Sequence, residues 1–176
     1  WIMIQNAGIG PVKCGYFINN RIGYACGTND INGIIIKTTN AGDSWNNIFS
    51  SSYYQMYSVQ FLNSQIGYAT GYDYGSSLNG FIVKTTNGGN SWSTVFIPKR
   101  MVYNFPISFV NFQVGYAGGW VWLGGNGGPG QLLKTTDGGL TWNFLNRGTE
   151  VNFYAIDFPE TDQVGYAVGD SGYILK

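Results

Sequence analysis

The side chains able to do chemistry are few and scattered. Arg21, Arg100 and Arg147 are the only arginines. A guanidinium clamp on a carboxylate needs its members to converge, yet Arg21 falls in a short first hairpin, on the opposite side from the other two. Glycoside hydrolysis needs two carboxylates about 5–10 Å apart. Asp73, Glu150, Asp157, Glu160, Asp162 and Asp170 form no pair that departs from the repeat around them. With no His and two Cys, neither a zinc site nor a nucleophile–His–carboxylate triad has its members. Asn29-Asp30-Ile31-Asn32-Gly33 is similar to the start of a calcium loop but lacks the distal bidentate Glu, and is read as a polar turn. Gly124-Gly125-Asn126-Gly127-Gly128-Pro129-Gly130 has neither the Lys-Ser/Thr nor the following helix of a phosphate cradle. The expectation is a protein that is not an enzyme and holds no metal or cofactor.

What must position any site is a repeated frame. Thr38-Thr39-Asn40-Ala41-Gly42-Asp43-Ser44-Trp45 returns as Thr85-Thr86-Asn87-Gly88-Gly89-Asn90-Ser91-Trp92 and as Thr135-Thr136-Asp137-Gly138-Gly139-Leu140-Thr141-Trp142. It reads as a hairpin turn: the Asp or Asn side chain accepts from backbone NH groups, Gly supplies a positive φ, and the Trp pins the turn to a sheet. Thr38, Asn40, Gly42 and Trp45, Thr85, Asn87, Gly89 and Trp92, and Thr135, Asp137, Gly139 and Trp142 are therefore structural positions. Gly23-Tyr24-Ala25, Gly67-Tyr68-Ala69, Gly115-Tyr116-Ala117 and Gly165-Tyr166-Ala167 recur 44, 48 and 50 residues apart. That period, with short apolar runs between turn signals, belongs to propeller blades.

Four antiparallel strands are assigned to each of about four blades, within a single β-propeller domain or segment, 1–176. The repeats fall at about 11–50, 51–98, 99–147 and 148–176, with 1–6 added to the last. Its missing outer strand is sought in Trp1-Ile2-Met3-Ile4-Gln5, which starts at the Trp that elsewhere follows the turn. Such closure would remove exposed sheet edges. Two readings stay open: a ring of four blades, or a segment of a longer propeller. The start at Trp1 is read as a processed or truncated product.

Composition agrees with many short strands. Aromatics reach 17%, Gly 27 residues and charged residues only 10%. Nine basic against nine acidic side chains argue against nucleic acid as a partner, and no apolar run approaches the length of a membrane span.

Gly-Tyr-Ala followed by Lys134-Thr135-Thr136-Asp137-Gly138-Gly139-Leu140-Thr141-Trp142 resembles the Asp-box (bacterial neuraminidase) repeat. More closely it resembles the propeller repeats of the photosystem II assembly factor family, the Ycf48-like proteins. The resemblance covers nearly the whole chain. It implies an all-β propeller of a kind common in secreted bacterial proteins, with the box structural and away from the ligand face. Asn40 and Asn87 depart from the Asp of the box, which a turn-capping role tolerates and a catalytic role would not.

Lys37, Lys84, Lys134 and Lys176 recur in every repeat, as framework rather than ligand positions. Aligning the repeats sets Cys14 opposite Cys26, where other blades have Ser58/Thr70, Pro106/Gly118 and Ala155/Val168. A disulfide and an oxidising compartment are expected. The connections from second to third strand vary most in length and share one propeller face with the blade-to-blade links. That face carries Tyr53, Tyr54, Tyr72, Tyr74, Lys99, Arg100, Tyr103, Trp120, Trp122, Arg147 and Glu150, the candidate ligand-binding residues. Trp120 and Trp122 are read either as recognition residues or as strand residues packed on the next blade. The expectation is a non-catalytic, secreted or cell-surface bacterial propeller. It would bind protein or glycan at the loop face as a structural module of a larger chain or extracellular assembly. The alternatives are a glycan-binding or partial, sialidase-like hydrolase propeller and a Ycf48-like membrane-complex assembly factor.

Overall fold

A computed structural model describes residues 10–75, 79–95, 101–103, 106–121, 128, 130–145, 151–159 and 164–176. The fold is an all-β propeller of four antiparallel blades. The first contains β1 (Val12–Phe17), β2 (Gly23–Asn29), β3 (Asn32–Thr38) and β4 (Asn46–Ser52), hydrogen bonded in that order. The second contains β5 (Tyr54–Phe61), β6 (Gly67–Asp73), β7 (Asn79–Thr85) and β8 (Ser93–Val95). In the third, β9 (Met101–Tyr103) and β10 (Ile107–Phe109) both pair with β11 (Gly115–Val121), which is followed by β12 (Gly130–Thr135) and β13 (Asn143–Leu145). The fourth has three described strands, β14 (Phe153–Asp157), β15 (Tyr166–Gly169) and β16 (Ile174–Leu175). The outer strand expected from Trp1–Gln5 lies outside the described residues.

The repeated turn is built from side chain to backbone. Asn40 Oδ1 accepts from the Thr38 hydroxyl at 2.9 Å and from Ser44 N at 3.0 Å, while Thr38 Oγ1 accepts from Gly42 N at 2.9 Å. Thr85, Asn87, Gly89 and Ser91 repeat these bonds, as do Thr135, Asp137, Gly139 and Thr141. Two successive positive φ angles close each turn: 63° and 97° at Ala41 and Gly42, 69° and 92° at Gly88 and Gly89, and 68° and 80° at Gly138 and Gly139. Asp137 is the one charged capper of the three. The bonds from Thr141 and Thr135 hold its carboxyl down at about 2.

Each turn is tied to the short hairpin of its own blade, Ala41 N donating to Arg21 O, Gly88 N to Gln65 O and Gly138 N to Gln113 O. The hairpins are themselves closed by Asn side chains. Asn19, Asn63 and Asn111 each accept from the backbone NH groups two and three residues on. Turns and hairpins therefore occupy one face of the propeller, and the other two loop types occupy the opposite one.

Blades join through the second-strand tyrosines. Tyr24 stacks on Phe61 at a centroid distance of 3.4 Å, Tyr68 on Phe109 at 3.8 Å and Tyr116 on Phe158 at 4.6 Å. Each Phe lies over the Gly of its own blade, and an added Cβ at Gly67, Gly115 or Gly165 would meet the ring at 2.6, 2.7 or 2.3 Å. The repeated lysines complete the joint. Lys37 Nζ donates to Gly88 O at 3.1 Å and Lys84 Nζ to Gly138 O at 2.7 Å, while Lys37, Lys84 and Lys134 sit 5.4, 5.3 and 5.2 Å from the Tyr24, Tyr68 and Tyr116 ring centroids. The Tyr68 hydroxyl also donates to Gly138 O at 2.7 Å; burial first, and Asp137 second, raise its pKa to about 12.

Candidate functional site

On the face opposite the turns, three loops meet. Tyr53, in the link from β4 to β5, has φ 63° and a half-exposed ring. Its amide donates to Ile31 O at 2.7 Å, in the β2–β3 loop, and its carbonyl accepts from Tyr74 N at 2.9 Å, in the β6–β7 loop. The Tyr74 hydroxyl donates to the same Ile31 O at 2.9 Å, and the Tyr53 and Tyr74 rings stand edge to face at 5.8 Å. Backbone pairing thus fixes two aromatic rings at the lip of a depression of about 650 Å³ lined by Ser51, Ser52, Tyr53, Tyr54, Asp73, Tyr74 and Gly75. Asp73 is 8% exposed, and its Oδ1 accepts from Gly75 N at 2.8 Å, which orients the carboxylate at the floor.

The structure brings together Tyr53, Tyr54 and Tyr74 from the expected set. Tyr54 lies at the edge, its ring 4.3 Å from that of Phe81. Tyr72 is 6% exposed within β6, a central strand whose residues are all buried; it is a packing residue, not part of the face. Trp120 continues β11, opposite Gly130 on one side and Tyr103 of β9 on the other, and is half-buried. Lys99, Arg100, Trp122, Arg147 and Glu150 lie outside the described residues, as does the side chain of Tyr103. Asp73 stood in the sequence only as a carboxylate without a catalytic partner, and the Ser51-Ser52 pair carried no signal. A strand that ends in an acidic residue immediately before a loop Tyr was the available signal.

A second concavity, of about 480 Å³, runs along the axis between the inner strands of all four blades. Lys13, Tyr57, Gln60, Ser108, Tyr154 and Asp157 are among its lining residues, and Asp157 is the sole carboxylate there among the described residues. Polar residues that alternate with apolar ones along the inner strands line this cavity.

Cys14 and Cys26 are opposite one another in the β1–β2 pair, in the register the repeats imply. The expected disulfide is not formed. Both are free thiols in this structure, Cys14 half-buried and Cys26 buried.

The fold is a propeller whose blades are locked by turns on one side and which exposes tyrosine side chains on the other. Its repeat is Ycf48-like. Over 58 residues the chain is 48% identical to the photosystem II assembly lipoprotein Ycf48 of Trichormus variabilis and, equally, of a Nostoc species. The match takes in 32% of this chain and 16% of the length of those relatives. No family model matches.

Among solved structures, YCF48 bound to D1 peptide superposes on 96% of this chain and 51% of its own, with TM-score 0.66 and 19% identity. The GH74 enzyme of Niastella koreensis superposes on 92% of this chain and 26% of its own, with TM-score 0.67 and 18% identity. YCF48 from Cyanidioschyzon merolae covers 97% and 68%, at TM-score 0.56 and 12% identity. These likenesses are of fold.

The expectation of a secreted or cell-surface protein is corrected by the sequence match: the relatives are named as lipoproteins of photosystem II assembly. Among the described residues no helix is long and apolar enough to cross a membrane.

Proposed function

We propose that the chain is a non-catalytic, protein-binding propeller that seats a segment of a partner protein across the Tyr53–Tyr54–Tyr74 face. The observation that carries this reading is the pair of edge-to-face tyrosines held by backbone bonds from three separate loops at the lip of a depression floored by Asp73. Tyrosine offers large contact area with few rotatable bonds, and here the rings are already fixed, so little entropy is lost on docking. A protein ligand is favoured over a glycan by the likeness to a YCF48 captured with a D1 peptide. Assembly of a membrane protein complex is the corresponding role, supported by the relatives' names.

The test is titration calorimetry with D1 peptide as probe, on the native chain and on Tyr53→Ala/Tyr74→Ala. Saturable binding weakened at least tenfold by the double substitution, with unchanged melting, is the expected result. Binding that ignores both tyrosines would place the face elsewhere. Hydrolysis of a soluble polysaccharide panel, the chemistry of the GH74 neighbour, would overturn the non-catalytic reading.

A further inference from the structure

Cys14 and Cys26 are the one pair in the chain whose sulfur chemistry the fold brings together and the recognition face does not use. They stand directly opposite on β1 and β2. Opposed residues of an antiparallel pair have Cα atoms about 4.5–5.5 Å apart, inside the span a disulfide bridges. Joining the sulfurs therefore requires rotation of side chains and no displacement of strands.

The two thiols have different surroundings. Cys26 is 0% exposed and belongs to the core between the first and second blades, with Tyr24, Ile35, Met56 and Val59. Cys14 is half-buried and lines the axial cavity. Its Sγ lies 3.9 Å from Val59 O, across the joint to the second blade. The hydrogen bond from Cys26 holds the Cys14 thiol down at about 6, and the same contact together with burial pushes Cys26 well up. Of the two sulfurs, the one that lines the cavity is therefore the readier to lose its proton. Nothing in the blade design demands sulfur here, since Ser58 faces Thr70 and Ala155 faces Val168 at the same positions.

We propose that Cys14 and Cys26 form a redox-active dithiol, in which Cys14 reacts with small disulfides entering the axial cavity and Cys26 resolves the product. The Cys14 thiolate attacks one sulfur of RSSR, forming Cys14–S–SR and expelling RS⁻. The Cys26 proton passes to RS⁻ through solvent. The Cys26 thiolate then attacks the Cys14 sulfur, forming the Cys14–Cys26 bond and releasing the second thiolate, which takes a proton from water. Overall the protein gives up two electrons and RSSR becomes two RSH. Because Cys14 and Cys26 are directly opposed on β1 and β2, the second step is intramolecular and outruns loss of the adduct.

The experiment uses oxidised glutathione at neutral pH, read by intact mass and peptide mapping. The native chain is expected to lose two hydrogens, with both cysteines closed to alkylation and reopened by dithiothreitol. Cys26→Ser stops at one glutathione on Cys14, and Cys14→Ser does not react. Persistence of both thiols in the native chain, or an adduct on Cys26, would overturn the proposal. The hydroxyl pair Ser58/Thr70 shows that the position accommodates such side chains. As a check independent of any variant, brief iodoacetamide treatment of the native chain should label Cys14 at least tenfold faster than Cys26; equal rates would also overturn it.

Discussion

Tyr68 is buried between two blades, whereas Tyr166, at the same place in the fourth repeat, is 39% exposed. Tyr68 has the Phe109 ring against it, the Lys84 ammonium over it and the Gly138 carbonyl to receive its hydroxyl proton. Val168 and Ile174 are likewise exposed, although their counterparts Thr70 and Ile82 are fully buried. Tyr and Ile at the same register therefore have different environments in the two blades. What the repeat encodes is half of a joint, completed around Tyr68 by the Phe and the turn of the third blade. Stability in such an array is approximately a sum of nearest-neighbour terms.

The strongest way to break this comparison is to truncate both tyrosines. Tyr68→Ala is expected to cost about 3–5 kcal/mol in denaturant unfolding, and Tyr166→Ala within about 1 kcal/mol. Equal losses would mean that Tyr166 is as well covered in solution as Tyr68. Next in size, Lys84→Met keeps the stem but removes the ammonium from Gly138 O and the Tyr68 ring, for about 1–2 kcal/mol. Lys176→Met should move stability by less than about 0.5 kcal/mol.

Acid separates two of the three joints from each other, with a smaller effect. The joint that receives Lys37 is capped by Asn87, and the one that receives Lys84 by Asp137. A carboxyl held at about 2 when folded, against an ordinary value of 3.8, contributes stability that is present above pH 3.8 and lost as pH falls through about 2. Asp137→Asn should therefore flatten the fall in melting temperature between about pH 4 and 2 while changing little at pH 7. An unchanged acid limb would show that the Asp137 bonds do not survive in solution. The smallest effect is at the first turn. Ala41 holds φ 63° where the other two turns have Gly, so Ala41→Gly should stabilise by about 0.5–1 kcal/mol in thermal unfolding.

Sequence alone carried the architecture because its signals are local. The Thr–Asx–Gly turn, the Asn that closes each hairpin and the period-two strands each act within a few residues, so a repeat announces itself. The joints were half legible: tyrosine and lysine recur visibly, but their Phe and carbonyl partners come from the next repeat. The face was least legible. Tyr72 and Tyr74 are two residues apart, yet the first lies inside β6, buried along its whole length, while the second stands in the turn just past its end. That Tyr53 and Tyr74 share Ile31 O depends on three loops meeting, which no local pattern records. The cysteine register was readable, whereas the redox state of the pair was not, since register leaves both the bonded and the free form within reach.

The joint built from Tyr, Phe, Lys and a turn carbonyl has a consequence for how such a chain changes over generations. A repeat duplicated in tandem brings its own tyrosine and lysine for the blade ahead and its own Phe and turn for the blade behind. Both new contacts are then copies of ones already optimised, and no compensating substitution is needed at either seam. Gene length can accordingly grow or shrink by one blade at a time, while an insertion of any other size must be absorbed in the loops on the far side. Duplication is in this sense built into the geometry of the Tyr68–Phe109 stack.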